Sequence, residues 1–286
     1  MIKKDEPMDR LTTFRIGGKA AIFAAPRTEE ELAAAVRDYP RAGILGGGSN
    51  LLVADAGVPA VISMEAFDDV GCAIAGGGAA LVTAGAGYSL TALSRWAYRS
   101  SMGGLEFAFG IPGSVGGAVV MNAGAHGAEV KDCLTSARLL VDGRFEDVAA
   151  ADLGLSYRSS ALPEGAVVVS ATFRLAHGAP KEILGKMKEW DEARKNSQPL
   201  ELPSAGSVFK NPPGGHAGKI IDGLGLKGLR VGDAQVSEKH ANFIVNLGNA
   251  TAAQVKELIE TVEAAVLEKT GIRLEREIKL MGNFLP

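Results

Sequence analysis

Cysteine is nearly missing from this sequence: Cys72 and Cys133 are the only two in 286 residues. Two thiols cannot build a disulfide framework, and they suit a reducing compartment. With the four histidines (His126, His177, His216 and His240) they show no metal-ligand spacing, so no metal site is expected. Aromatic residues make up only 6%, which argues against a surface that stacks nucleobases. Positive charge is not in excess either. The formal net charge is −3, and the basic field that draws in nucleic acid is lacking. Neither a Walker A sequence nor a Gly-x-Ser-x-Gly elbow occurs. The first ten residues are charged and lack the apolar core of a secretory signal, so none is expected.

One run lacks charge altogether, residues 70–94. It is long enough to cross a bilayer, which takes about 20 apolar residues. Its glycines (Gly76, Gly77, Gly78, Gly85 and Gly87) disfavour helix and favour strand and tight loop. No membrane segment is expected.

What is present is a soluble, globular composition: 47% hydrophobic, 22% charged. The length suits roughly two domains. Glycine is abundant, 37 residues, nearly twice the usual share of about 7%. Thr28-Glu-Glu-Glu31 reads as a capping box that starts a helix running to about Asp38. Short apolar runs around 42–45, 51–53, 58–63 and 79–84 read as strands. Ser89 caps a helix to about Ser100. Asp142-Gly143 turns a hairpin, and 167–175 is another strand. Helices are expected over 181–195 and from Thr251 to about Thr270, with a closing strand over 272–280. Strands and helices alternate irregularly, the pattern of an α+β fold. A boundary falls near residue 177, giving domains 1–177 and 178–286.

Several stretches carry chemistry. In Ile44-Leu-Gly-Gly-Gly-Ser-Asn-Leu-Leu-Val53, three glycines let the backbone approach a ligand, and consecutive amides form an anion-binding nest. A plain tight turn between strands accounts for it equally well. Residues 105–127 are glycine-rich, loop-like and uncharged between Glu106 and His126. Two such loops in one half suggest a large nucleotide cofactor. Gly223-Leu-Gly225-Leu-Lys-Gly228 matches G-x-G-x-x-G but follows a helical segment, so a loop is the better account. Ser204-Ala-Gly-Ser207-Val-Phe-Lys-Asn-Pro212 crowds donors around a glycine. Ser207 has no adjacent histidine and is either a turn serine or a proton relay. Tyr157-Arg158-Ser159 offers a guanidinium suited to a carboxylate. In Leu274-Glu-Arg-Glu-Ile-Lys-Leu280, period 2 places Glu275, Glu277 and Lys279 on one face. That face is either solvated or a pair of carboxylates with one pKa pushed up.

Taken in order, these motifs resemble the UDP-N-acetylenolpyruvoylglucosamine reductase (MurB) family. The resemblance begins at Thr12-Thr-Phe-Arg-Ile-Gly-Gly18. It continues through Leu45-Gly-Gly-Gly-Ser-Asn-Leu51, Gly110-Ile-Pro-Gly-Ser-Val-Gly-Gly117, Met121-Asn-Ala-Gly124 and Tyr157-Arg158. It takes in 204–212, Ala234-Gln-Val-Ser-Glu-Lys-His-Ala-Asn-Phe-Ile-Val-Asn246 and Leu274-Glu-Arg-Glu277. It implies a two-lobed FAD-binding domain of the vanillyl-alcohol-oxidase type, then a smaller α+β substrate-binding domain. The implied reaction takes hydride from NADPH through FAD to the enolpyruvyl ether of a UDP-sugar, whose Cα then takes a proton. In the implied assignment Arg158, Ser207 and Glu277 are catalytic: the first and last stabilise the enolate and Ser207 protonates Cα. Gly46, Gly47, Gly48, Ser49, Asn50 and Leu51 would bind FAD, with Ile111, Pro112, Gly113, Ser114, Gly116 and Gly117. Tyr157, Asn211, Lys239 and His240 would contact substrate. The interval between Arg158 and Ser207 is too short for the family's tyrosine loop, so the resemblance is to the shorter class. A cytoplasmic monomer is expected.

Overall fold

The structure, a computed structural model, describes residues 1–284. The chain forms two compact units that interleave along the sequence. Residues 1–2, 24–47 and 60–194 make the first; 3–23, 48–59 and 195 onward make the second. These units do not coincide with a single division after residue 177. The physical reason lies in pairing and burial. The strand Leu51–Val53 pairs in parallel with Lys279–Met281, and Phe14 and Leu52 are buried in the second core.

The first unit is built on an antiparallel sheet. Its strands run in the order Arg144–Ala149, Leu134–Val141, Val167–His177, Ala79–Gly85, Val70–Ile74. In the Val167–His177 strand Ala171, Phe173 and Leu175 are fully buried while Arg174 is exposed, the period-2 signature of one covered face. Asp142 and Gly143 both take positive φ (48° and 76°), the turn that matches strand twist. The uncharged run 70–94 becomes a strand pair and the start of a helix. Among the described residues no helix is long and apolar enough to cross a membrane.

Helix α1 (Glu29–Asp38) starts where the Thr28 hydroxyl accepts from the Glu31 N–H, and α2 (Leu90–Arg99) where Ser89 accepts from Ala92. Each cap satisfies a donor the helix cannot. Leu90, Leu93 and Ala97 of α2 enter the core. Helix α3 (Val115–Val120) forms within a stretch expected to be loop. Its glycines are there for proximity: a Cβ on Gly116 would sit 2.8 Å from Ala86 Cβ, and Gly116 N–H donates to Ala86 O at 2.9 Å. Helix α4 (Pro180–Ser197) follows the long strand.

The second unit carries the sheet Ser204–Ser207, Phe243–Asn246, Ala234–Val236, Arg230–Val231, all antiparallel. Helix α5 (Ala217–Gly223) ends on the first glycine of the G-x-G-x-x-G match, and the rest of that match is a loop with Gly225 and Gly228 at positive φ. Helix α6 (Ala252–Thr270) buries Val255, Leu258, Ile259, Val262 and Val266. Thr251 and Gln254 close a capping box there. The Asp55 carboxylate adds two bonds, from Ala252 N–H (2.8 Å) and Ala253 N–H (2.9 Å). A carboxylate at a helix N-terminus also favours the dipole. The closing strand is shorter than expected, Lys279–Met281. Glu277 and Ile278 turn both N–H groups onto Val208 O (2.8 and 3.3 Å), which breaks the ladder before Lys279.

Candidate active site

One irregular strand organises part of the second unit. Between Ser204, opposite Val245, and Ser207, opposite Phe243, the pairing slips. Gly206 takes φ 75° there. This is a β-bulge, the device that re-aims a side chain at a strand end, and it delivers Ser207. The next residues are fixed by Asn242, which is buried. Its Oδ1 accepts from Phe209 N–H (3.0 Å) and its Nδ2 donates to Phe209 O (2.8 Å). Side-chain amide thus imitates a neighbouring strand. Phe209 in turn bridges Arg276. The Glu277 peptide is pinned on both sides: N–H to Val208 O, and C=O from Asn50 Nδ2 at 3.0 Å. Ser207 and Glu277 therefore share one backbone junction, although 70 positions of sequence lie between them. Lys210 pairs with Glu275.

Asn211 Oδ1 accepts from Ala217 N–H at 3.0 Å and so anchors the start of α5. His240 packs edge-on against Phe243, ring centroids 4.9 Å apart. Its Nδ1 accepts from Asn242 N–H, and burial, joined by the nearby Lys227 charge, holds its pKa below the ordinary value. The neutral ring is the form present at neutral pH. Lys239 donates to Lys195 O at 2.7 Å. The Ser237 hydroxyl accepts from the N–H of both Lys239 and His240.

In the first unit Arg158 sits at φ 54°, a conformation that costs a non-glycine residue about 1–3 kcal/mol. Its guanidinium donates to Gly124 O at 2.6 Å, lies 5.0 Å from the Tyr157 ring centre and faces Glu129 at 3.9 Å. Asn122, wholly buried, ties this region together. It donates to Glu129 and to Ser156 O, and accepts from Lys131 N–H.

The two glycine loops are as close-packed as their composition suggests. In the first unit, a Cβ on Gly47 would lie 2.6 Å from Gly113 Cα, and one on Gly46 would collide with Ser114 Oγ. The second loop is fastened to α2, through Leu90 N–H to Gly113 O (3.1 Å) and Thr91 Oγ1 to Ile111 O (2.8 Å). In the second unit Gly48 has positive φ and abuts the Leu11 carbonyl. Thr13 N–H donates to Gly48 O, and its hydroxyl to Ser204 O at 2.7 Å. The strands either side of residues 46–50 do not pair with each other, so this is no hairpin turn. Gly43–Leu45 pairs with 61–63, and Leu51–Val53 with 279–281.

One atom tests the fit of a phosphate-bearing cofactor. Ser114 is 4% exposed, and its Oγ is buried with no hydrogen-bond partner among the described residues. A buried hydroxyl left unmatched costs about 1–3 kcal/mol. A bound anion offering an oxygen would relieve it. The residues fit.

The motifs contain Thr13, Asn122 and Asn242 without marking a role for them, and Glu129 lies outside the motifs. The available signal was a lone amide set in apolar surroundings, as in Met121-Asn122 and Ala241-Asn242-Phe243, since a polar group there must find partners.

Two family models match the chain. The FAD binding domain model matches residues 20–147, and the UDP-N-acetylenolpyruvoylglucosamine reductase C-terminal domain model matches 198–281. UDP-N-acetylenolpyruvoylglucosamine reductase of Lachnoclostridium phytofermentans is 46% identical, over 97% of this chain and 92% of the relative. That of Agathobacter rectalis is 48% identical, over 98% and 94%. The crystal structure of the Thermus caldophilus reductase (MurB) superposes with a TM-score of 0.83 at 40% identity, covering 99% of this chain and 98% of that one.

Proposed function

The chain belongs to the UDP-N-acetylenolpyruvoylglucosamine reductase family, and we propose that it reduces the enolpyruvyl ether of UDP-N-acetylglucosamine to UDP-N-acetylmuramate with NADPH, as a cytoplasmic monomer. Residues 46–51 and 111–117 would hold FAD, with Ser114 Oγ donating to it. Bound FAD supplies the hydride exchange between NADPH and the sugar substrate.

The chain's own residues carry the rest. Hydride added at the β-carbon leaves charge at Cα that the substrate carboxylate spreads, and that charge must be met where it develops. Arg158 offers a guanidinium to the carboxylate, with the Tyr157 ring beside it. Glu277 acts as a hydrogen-bonding acid on the developing enolate. Ser207 Oγ hands its proton to Cα. Asn211 and His240 line the same part of the second unit and contact substrate. Lys239 reaches the diphosphate by exchanging the Lys195 carbonyl for a phosphate oxygen. The observation that carries this reading is the bulge at Gly206, which brings Ser207 to the junction that pins Glu277.

Ser207→Ala tests it. General acid catalysis contributes about 10²–10⁴-fold. Flavin reoxidation by the enolpyruvyl substrate should slow by roughly that factor, while flavin reduction by NADPH changes far less. Equal loss in both steps, measured by stopped-flow absorbance, would overturn the assignment.

A further inference from the structure

Of the seven non-glycine residues with positive φ among the described residues, three (Asn122, His126 and Arg158) fall in one small region of the first unit. Backbone strain persists where the surroundings over-determine it, and it gathers at functional sites. The centre of this region is a carboxylate to which neither the sequence nor the proposed mechanism gives a role. Glu129 accepts from Asn122 Nδ2 at 2.9 Å and from the Lys131 ammonium at 2.8 Å. It also caps the short turn Val130–Asp132, and its own N–H is held by Asp132 at 2.8 Å. Its other oxygen faces the Arg158 guanidinium at 3.9 Å. Both side chains are largely shielded, 18% and 20% exposed, so their attraction is screened less than a surface pair's.

We propose that Glu129, fixed by Asn122 and Lys131, is a positioning residue for Arg158. Gly124 O takes one end of the guanidinium and the Tyr157 ring lies at its face. Glu129 sets the direction in which the remaining N–H groups point. Asn122 controls the same segment from the other side, through Ser156 O, two residues before Arg158. The inference rests on the reading that Arg158 meets the substrate carboxylate. A guanidinium that turns away still attracts that carboxylate, but it no longer follows the charge into the transition state. The effect belongs in the rate more than in the affinity.

The test is a double-mutant cycle on the FAD-loaded protein, with Glu129→Gln, Arg158→Ala and both together. Gln keeps an acceptor for Asn122 and the cap, and removes the charge. In the native background Glu129→Gln should slow flavin reoxidation by the enolpyruvyl UDP-sugar about tenfold. The substrate dissociation constant, from calorimetry on the oxidised protein, should rise less than about threefold. In the Arg158→Ala background the same change should alter the rate by less than about twofold. A tenfold loss in both backgrounds makes Glu129 merely structural and overturns the proposal; so does no loss in the native background. If Glu129→Gln fails to fold, Glu129→Asp enters the same cycle, retaining charge but withdrawing it by one methylene. Failure of the underlying reading looks different: Arg158→Ala alone would then leave rate and affinity intact, and the inference would fall with it.

Discussion

Ser114→Ala should move the flavin-free and flavin-loaded proteins in opposite directions. The hydroxyl is buried and unmatched within the described residues, so in the flavin-free protein it is a liability. An unsatisfied buried hydroxyl costs about 1–3 kcal/mol, and exchanging it for a methyl group removes that cost at the loss of one oxygen's packing. A gain of about 1 kcal/mol is expected, a rise of about 2–4 °C in the melting midpoint for a chain of this size. In the proposed reading the same hydroxyl would donate to a charged oxygen of FAD. Its removal then forfeits about 1.5 kcal/mol, or roughly a tenfold weaker Kd for FAD. Because ligand binding adds stability with the logarithm of its affinity, a tenfold weaker Kd removes about 1.4 kcal/mol at saturating FAD, more than the gain in the flavin-free protein, so the flavin-loaded variant should melt below wild type. Thermal melts with and without FAD, together with FAD titration by flavin fluorescence, read both signs. A variant whose flavin-free form is less stable than wild type, or whose affinity for FAD is unchanged, would refute the argument.

Two further outcomes follow from the titratable groups. Burial first, and then Asp132 and Glu106, push the Cys133 thiol up to about 12, whereas Cys72 is exposed. A thiol reagent should therefore modify one cysteine in the native protein and two after denaturation, since the thiolate is the reactive form; two fast native reactions would contradict the assigned burial. His240 is held below its ordinary value by burial, with the Lys227 charge adding to it. The unfolded chain takes up a proton near pH 6.5 that the folded one refuses, so this contribution is complete above about pH 6.5 and falls away as pH drops through it. His240→Gln should flatten the decline of urea midpoints on the acid side of about pH 6.5; an unchanged slope would show that His240 is not the source.

The elements legible in the sequence were those with local chemistry of their own. Thr28, Ser89 and Thr251 each begin a helix where their side chains predict one, and Asp142-Gly143 makes its hairpin. What escaped was decided from a distance. Helix α3 runs through two glycines because Ala86 leaves Gly116 no room for a side chain. The closing strand is cut short because Val208 O claims two N–H groups of the last segment. The same holds for the site. Ser207, Arg158 and Glu277 are proposed through a family resemblance, but Asn242 and Asn122, which fix the backbone around them, have partners from 33 and 34 positions away as well as nearer ones. No window of sequence displays such a partnership.

The pairing of Leu51–Val53 with Lys279–Met281 carries a consequence for how the protein is made. A ribosome delivers the first of these strands long before the second. Until residues 279–281 emerge, Leu51–Val53 lacks its parallel neighbour, and Phe14 and Leu52 wait for a hydrophobic interior that α6, Leu274 and Ile278 complete. The first unit, made almost wholly by residue 194, can consolidate while the nascent chain is still growing, but the second waits for residues 279–281. Contacts so far apart in sequence set a slow step. A chain cut before Lys279 forfeits the parallel pairing that holds Leu51–Val53.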